Sequence, residues 1–204
     1  MDIIAPTSPL SPGAADEAAR KASLGLVSLF KQGLITIPDT APVDRWGRAI
    51  GPVSFRFSTG AKTTLQEALL CRGWARVFPQ SNDHVFLDRC FAAEDEARAL
   101  RRGLWALPNY QVRSAKDLSR AYGLQIYQGR VFNASEGRGR IYINFGEDFR
   151  IDLTATVTKG DFRRWRSKDP VSLYAGRTLE IRGYVETING PSIELRHERQ
   201  LRRV

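Results

Sequence analysis

Along the first half of the chain apolar residues recur every three or four positions, and toward the C-terminus they recur every second one. The helical period opens with Ala15, Ala18, Ala19, Ala22, Leu26, Leu29 and Phe30, behind Ser11 as a possible N-cap and Pro12 at a first helical position. Pro6, Pro9, Pro12 and Gly13 make the lead-in extended, and Gly33 marks the helix stop. LITI (34–37) then reads as a short strand, and AIGPVSFRF (49–57) as a second one interrupted by Gly51 and Pro52. Thr64 and Glu67 have capping-box spacing and start a helix through Leu70, closed by Gly73. A longer helix follows, with Phe86, Cys90, Ala93, Ala97, Leu100 and Leu104 on its apolar stripe. Asp88, Arg89, Glu94, Asp95, Glu96, Arg98, Arg101 and Arg102 are expected on its solvated back.

The period changes near SAKDLSRAYG (114–123), which reads as a short linking helix ending on a glycine. Strands are expected at about 124–132, 140–145 and 149–157. In the last, Phe149, Ile151, Leu153, Ala155 and Val157 alternate with polar residues, as in a half-buried strand. EGRGR (136–140) is most simply a hairpin turn, and DFRRWRSK (161–168) a short basic helix. LEIRGYVE, Asn189-Gly190 and SIEL predict a closing hairpin with a type I′ turn. Five strands with one short helix in the C-terminal part fit a small barrel of the OB kind. The pattern therefore predicts an α+β protein with a first domain over 1–113, a linker helix over 114–123 and an OB-like domain over 124–204.

Composition narrows the function classes. With 42% hydrophobic and 26% charged residues among 204, the chain is an ordinary globular one with material for buried cores. A net charge of +9 points to a polyanionic partner, nucleic acid first and an anionic membrane surface second, although arginine-rich helix faces explain part of it. No run approaches the ~18 apolar residues of a membrane span, and MDIIAPTSPLSPG lacks the features of a secretory signal, so the expected location as written is the cytoplasm. Cys71 and Cys90 are too few for a disulfide framework or zinc cluster and fit two buried thiols.

The stretch DRWGR (44–48) places Gly47 before Arg48, on a turn that lets a guanidinium reach into a groove. A planar fork of donors suits bidentate contact with phosphate oxygens. A Gly-Arg pair alone is better explained by a surface arginine. Its context is more specific: DRWGR, LQEALLCRGWARVFP and CFAAEDEARALRRGLW, over about 44–105, resemble in order and spacing the second half of the staphylococcal nuclease (thermonuclease) family domain. GRGRIYINFGEDFRIDLTATV through LEIRGYVETINGPSIEL is similar to the additional C-terminal domain of some bacterial members. The resemblance implies a five-stranded OB barrel with three helices and a calcium-dependent site that cuts DNA and RNA phosphodiesters. It also implies that Arg48 is one of the two arginine phosphate clamps, with Trp46 at the motif's aromatic position.

The departures bear directly on catalysis. IIAPT (3–7) aligns Pro6 with the proline of the family's Asp-x-Pro-Glu motif, so Ile4 stands where a metal-binding Asp belongs and Thr7 where the proposed general base belongs. The first arginine and the early metal Asp have no counterpart, and Asp2 is out of register. A hard cation needs several oxygen ligands, and an Ile offers none. The first domain is then an incomplete barrel of the family type, N-terminally truncated relative to the family, with open strand edges. The resulting expectation is a degenerate, nuclease-like pseudoenzyme that binds nucleic acid weakly and salt-dependently, with Arg48 as phosphate ligand, Trp46 and Phe78 as base-stacking candidates, and no cofactor or metal as the chain stands. Two alternatives stay open: a calcium-dependent phosphodiesterase whose first strands lie outside this sequence, and an OB-type protein-interaction module. A second copy or a partner protein could cover the open edge. Trp165 and Tyr184 are further stacking candidates, and all four aromatics read more readily as core. The basic run Arg163, Arg164, Arg166 and Lys168 is a possible phosphate contact, and Glu147, Asp148 and Asp152 a possible acidic site, whereas His84 and His197 have no metal-ligand spacing.

Overall fold

The computed structural model describes residues 2–6, 14–37, 41–43, 45–47, 50–119, 122–166 and 170–204, without the side chains of 14–16. Ser11 and Pro12, expected to start the first helix, lie outside the described residues. The chain divides into two compact units, Met1–Tyr110 and Gln111–Val204.

In the first unit β1 (Ile3–Ile4) is followed by α1 (Ala14–Phe30), β2 (Gly33–Thr36), β3 (Ser54–Phe57), β4 (Lys62–Thr64), α2 (Leu65–Leu70), β5 (Arg76–Val77) and α3 (His84–Ala99). The predicted α1 stripe is the buried one: Ala18, Ala22 and Leu29 are inside, while Phe30 at its end is half exposed. Gly25 faces the Trp74 indole so closely that a Cβ would lie 2.2 Å from Cδ2, which fixes α1 against the segment after α2. Strands β2, β3 and β4 form an antiparallel sheet with Ile35 opposite Phe55 and Phe55 opposite Thr63. Leu29, Phe55 and Ala68 make the core between this sheet and the helices.

The expected capping box at α2 is formed in full: Thr64 Oγ1 accepts from the Glu67 N–H at 3.1 Å, and the Glu67 carboxylate accepts from the Thr64 N–H at 3.2 Å. The exit of α2 meets the exit of α3 backbone to backbone. Gly73 has φ of 71°, and a Cβ there would fall 2.1 Å from the Arg102 carbonyl oxygen, so only glycine serves. Phe86, Leu87, Cys90 and Phe91 of α3 pack with Leu70, Ala75 and Val77 in a second cluster. Two expectations for α3 need correction. Leu100 is 56% exposed, because the helix has ended and the chain has left the stripe. Glu94 is fully buried rather than solvated, because β5 runs beside α3 and offers its carboxylate a backbone donor.

The second unit comprises β6 (Arg113–Ser114), β7 (Gly123–Arg130), β8 (Asn133–Glu136), β9 (Arg140–Asn144), β10 (Thr154–Thr158), α4 (Lys159–Arg164), β11 (Thr178–Thr187), β12 (Pro191–Glu194) and β13 (Leu201–Arg203). The sheet order is β6-β7-β11-β12-β10-β9-β8, with β13 also on β11. All these pairings are antiparallel except β10 with β12 and β6 with β7. The path leaves β7 on one side and returns to β8, its immediate successor in sequence. Tyr127, Ile141, Ile143, Leu153, Ala155, Val157, Leu179, Ile181 and Ile193 fill the interior.

The expected helix over 114–123 is not formed among its described residues: Ser114 is in β6, and the Ala115 N–H donates to the Gln128 carbonyl at 2.8 Å. Pairing with β7 satisfies backbone groups that a helix would have used. The strand expected from Phe149 begins only at Thr154. Phe149 and Ile151 lie in a tight turn, 56% and 68% exposed, because the Asp152 side chain captures the Asp148 N–H at 3.0 Å and bends the chain. The hairpin of β11 and β12 is present, but with Thr187 opposite Pro191 its loop has three residues, 188–190, rather than a two-residue type I′ turn. Asn189 (φ 51°) and Gly190 (φ 115°) supply the left-handed backbone. Among the described residues no helix is long and apolar enough to cross a membrane.

Candidate nucleic-acid interface

In the first unit the segment aligned with the family's metal motif is an ordinary strand. Ile3 sits opposite Val77 and Ile4 opposite Arg76, both in antiparallel register, and the Phe78 N–H donates to the Asp2 carbonyl at 2.9 Å. The Asp2 carboxylate is buried and accepts from the backbone N–H groups of Gln80 and Ser81, at 2.8 and 2.7 Å. That carboxylate therefore holds the 78–81 turn against β1. Among the described residues no three His, Cys, Asp or Glu side chains are grouped so as to hold a metal ion. For the calcium that the family resemblance implies, Ile4 brings no oxygen, and one oxygen of Asp2 accepts both backbone donors.

Arg48 and Asp44 lie outside the described residues. Gly47 has φ of 76° with open space around it, so the sharp turn before Arg48 is in place. Trp46 is 64% exposed, with the Arg45 guanidinium carbon 3.9 Å above its ring centroid. Phe78 is half-buried just after β5. In the same unit Arg76 is buried, its guanidinium 5.0 Å from the Tyr110 ring.

In the second unit Trp165 is a core residue, 4% exposed and 5.1 Å from the Phe162 ring, so it offers no face to a base. Tyr184 is 44% exposed on β11. Arg163 and Arg164 are on α4, and Arg164 pairs with Asp161; Lys168 lies outside the described residues. The acidic candidate resolves into turn chemistry. Asp148 pairs with Arg150 at 3.0 Å, which holds its carboxyl below the usual range, and Asp152 caps the Asp148 N–H. His197 Nδ1 accepts from the Arg199 N–H at 3.1 Å.

One feature escaped the sequence reading. A groove of about 620 Å³ opens on the outer face of β8, β9, β10 and β12, bounded by the 149 turn and the 188–190 loop. Its floor carries Arg140, Tyr142 and Asn144, the residues of β9 that alternate with the buried Ile141 and Ile143. Thr154 and Thr156 stand beside them on β10. The signal was this alternation in RIYIN, whose polar side keeps one aromatic.

Among the described residues the first unit is an α+β domain of short strands and three α-helices. The chain matches the staphylococcal nuclease homologue family over residues 3–107, more than half its length, and belongs to that family. The match ends at residue 107, just before the first unit ends at Tyr110, and leaves the second unit outside it. A comparison with curated proteins finds no match.

Proposed function

We propose that this chain binds nucleic acid and, as it stands, does not cleave it by a metal-dependent route. The observation that carries the reading is Ile4, set in β1 opposite Arg76 at the place aligned with a metal-binding Asp. With Thr7 at the place of the general base, neither a polarising cation nor an activated water is provided for, and an arginine clamp by itself binds phosphate without cutting it. Arg48 is the proposed phosphate ligand and Trp46 and Phe78 the proposed stacking residues of the first unit. For the second unit we infer an OB-like barrel: a parallel β10–β12 pair, α4 between β10 and β11, and a path that returns to the strand beside its start support it. The charge is uneven, with 18 Lys and Arg against 11 Asp and Glu in the second unit and 13 against 11 in the first, which supports a polyanion as partner of the second.

A second reading is favoured by a specific surface. Among the described residues β2 is paired on one side only, and Leu34, Ile37, Val27 and Phe30 are 74%, 51%, 49% and 49% exposed around it. A covering element, whether further strands, a second copy or a partner, would bury this edge. Further strands would also be the route to the calcium-dependent phosphodiesterase. Incubating the 204-residue protein with single-stranded and duplex DNA and with RNA, with calcium or with chelator, tests the proposal. Binding without cutting in either condition is the expected result. Calcium-dependent cutting overturns it, and absence of binding at low salt leaves the protein-interaction module.

A further inference from the structure

We infer that the groove over β8, β9, β10 and β12 of the second unit is a site for single-stranded nucleic acid, with bases stacked on Tyr142 and Phe149. The inference rests on the nucleic-acid reading above and adds to it a place, a strand state and named residues in the unit that lies outside the family match.

Apart from Arg140, the polar groups of the groove are uncharged hydrogen-bonding ones, set with two aromatic rings. Tyr142 is 38% exposed and Phe149 56% exposed, and both line it. Such faces are costly to leave in water and suit the π-face of any base. The Thr154 hydroxyl donates to the Asn144 side-chain oxygen at 3.0 Å, which leaves the Asn144 NH2 as the donor toward a base edge. Arg140 is held in place by Glu194 at 2.8 Å, so a positioned cation stands on the floor. At about 620 Å³ the groove falls within the ~300–1,000 Å³ of small-ligand clefts, enough for a nucleotide or two but not for a duplex.

The end of the groove is fixed by backbone contact. A Cβ on Gly190 would lie 2.5 Å from the Phe149 carbonyl oxygen, so the 188–190 loop presses directly on the turn that presents Phe149. At the other end, a Cβ on Gly137 would lie 2.9 Å from the Tyr142 ring, and the absent side chain leaves that ring room. Phe149 is thus placed by a tight turn, and Tyr142 by its strand β9, paired with Thr156 and Ser135. Hydroxyl and amide groups between aromatic rings also suit a sugar ring. The seven-charge excess of Lys and Arg in this unit, with Arg138 exposed in the β8–β9 turn, favours a polyanion.

The test is anisotropy of a labelled oligothymidylate at low salt with the full chain, joined to amide chemical-shift mapping. Tyr142→Ala and Phe149→Ala are expected to weaken binding about 5- to 100-fold each while melting near wild type. Tyr142→Phe, which keeps the ring, is expected to retain it. Shifts should gather at 140–144, 154–156 and 188–192. If the wild type binds and both alanine variants bind as well, with shifts on 163–166 or around Trp46, the groove is overturned and the nucleic-acid reading stands. If no oligonucleotide binds at low salt, both fall. If an oligosaccharide alone moves the groove amides, the site is real in place but the assigned occupant is overturned.

Discussion

The carboxylate of Glu94 accepts a hydrogen bond from the Val77 backbone N–H at 2.5 Å, joining the middle of α3 to β5 inside the first unit. Glu94 is fully buried, and Arg98 approaches its other oxygen at 3.9 Å. Because β5 in turn carries β1, this bond supports the segment aligned with the family's metal motif. Glu94→Ala should destabilise the protein by about 1–3 kcal/mol, the usual consequence of taking a partner from a buried polar group. Glu94→Gln keeps an acceptor oxygen and should lose less. Urea unfolding of the two variants checks the order, and equal losses would show that charge rather than the hydrogen bond matters.

Asp2 offers a sharper separation of structure from metal chemistry. One oxygen of its carboxylate accepts from the N–H groups of both Gln80 and Ser81, and we expect a structural role there rather than a calcium ligand. The protein should melt at the same temperature with millimolar calcium as with chelator, while Asp2→Ala lowers stability by about 1–3 kcal/mol. A calcium-dependent rise in melting temperature that Asp2→Ala abolishes would make Asp2 a ligand instead.

Cys90 makes a prediction in pH. Burial, then the negative charges of Glu67, Asp2 and Glu94, push its thiol from 9.0 up to about 12. The folded state therefore holds the thiol proton more tightly than the unfolded state. The associated stability is complete below pH 9 and is lost as pH rises from 9 toward 12. Cys90→Ala should flatten the alkaline fall of the unfolding midpoint relative to wild type. A thiol reagent at pH 8 should find the half-buried Cys71 first and Cys90 only on unfolding.

What could be read from the sequence depended on whether a signal was local. The α2 capping box, the α1 stripe and the β11–β12 hairpin rest on contacts within a few residues, and each formed. Glu94 misled because its partner is on β5, seventeen residues away, and a charged residue in a helical pattern reads as solvated. The same holds on β11, where Glu180 and Arg182 alternate with core residues yet are 4% and 1% exposed, paired at 2.7 Å. Strand pairing at β6 overrode a local helical pattern, and the Asp152 turn removed Phe149 and Ile151 from a strand whose alternation was otherwise sound. The turn at Gly47 was legible because glycine is the residue that readily takes the backbone conformation it needs. The β9 groove was not, since its floor is assembled from four strands.

Arg48 carries the last prediction. Gly47 rather than the guanidinium sets the turn, so Arg48→Ala should leave the fold intact. If the arginine holds phosphate, its loss should weaken oligonucleotide binding by about 1.5–3 kcal/mol, the range for hydrogen bonds to charged groups. The dependence of log affinity on log salt should also become shallower by about one unit, because one phosphate contact has gone. A structural arginine behaves differently: binding and salt slope stay as they were while the melting temperature falls. Asp44 is then the acid to test first, because Glu67 is already engaged by Thr64 through one oxygen and by Arg89 at 3.2 Å through the other. The double variant Arg48→Ala with Asp44→Ala decides between the two, since a lost ion pair costs nothing further once one member is gone, whereas a lost phosphate clamp weakens binding with either residue at position 44.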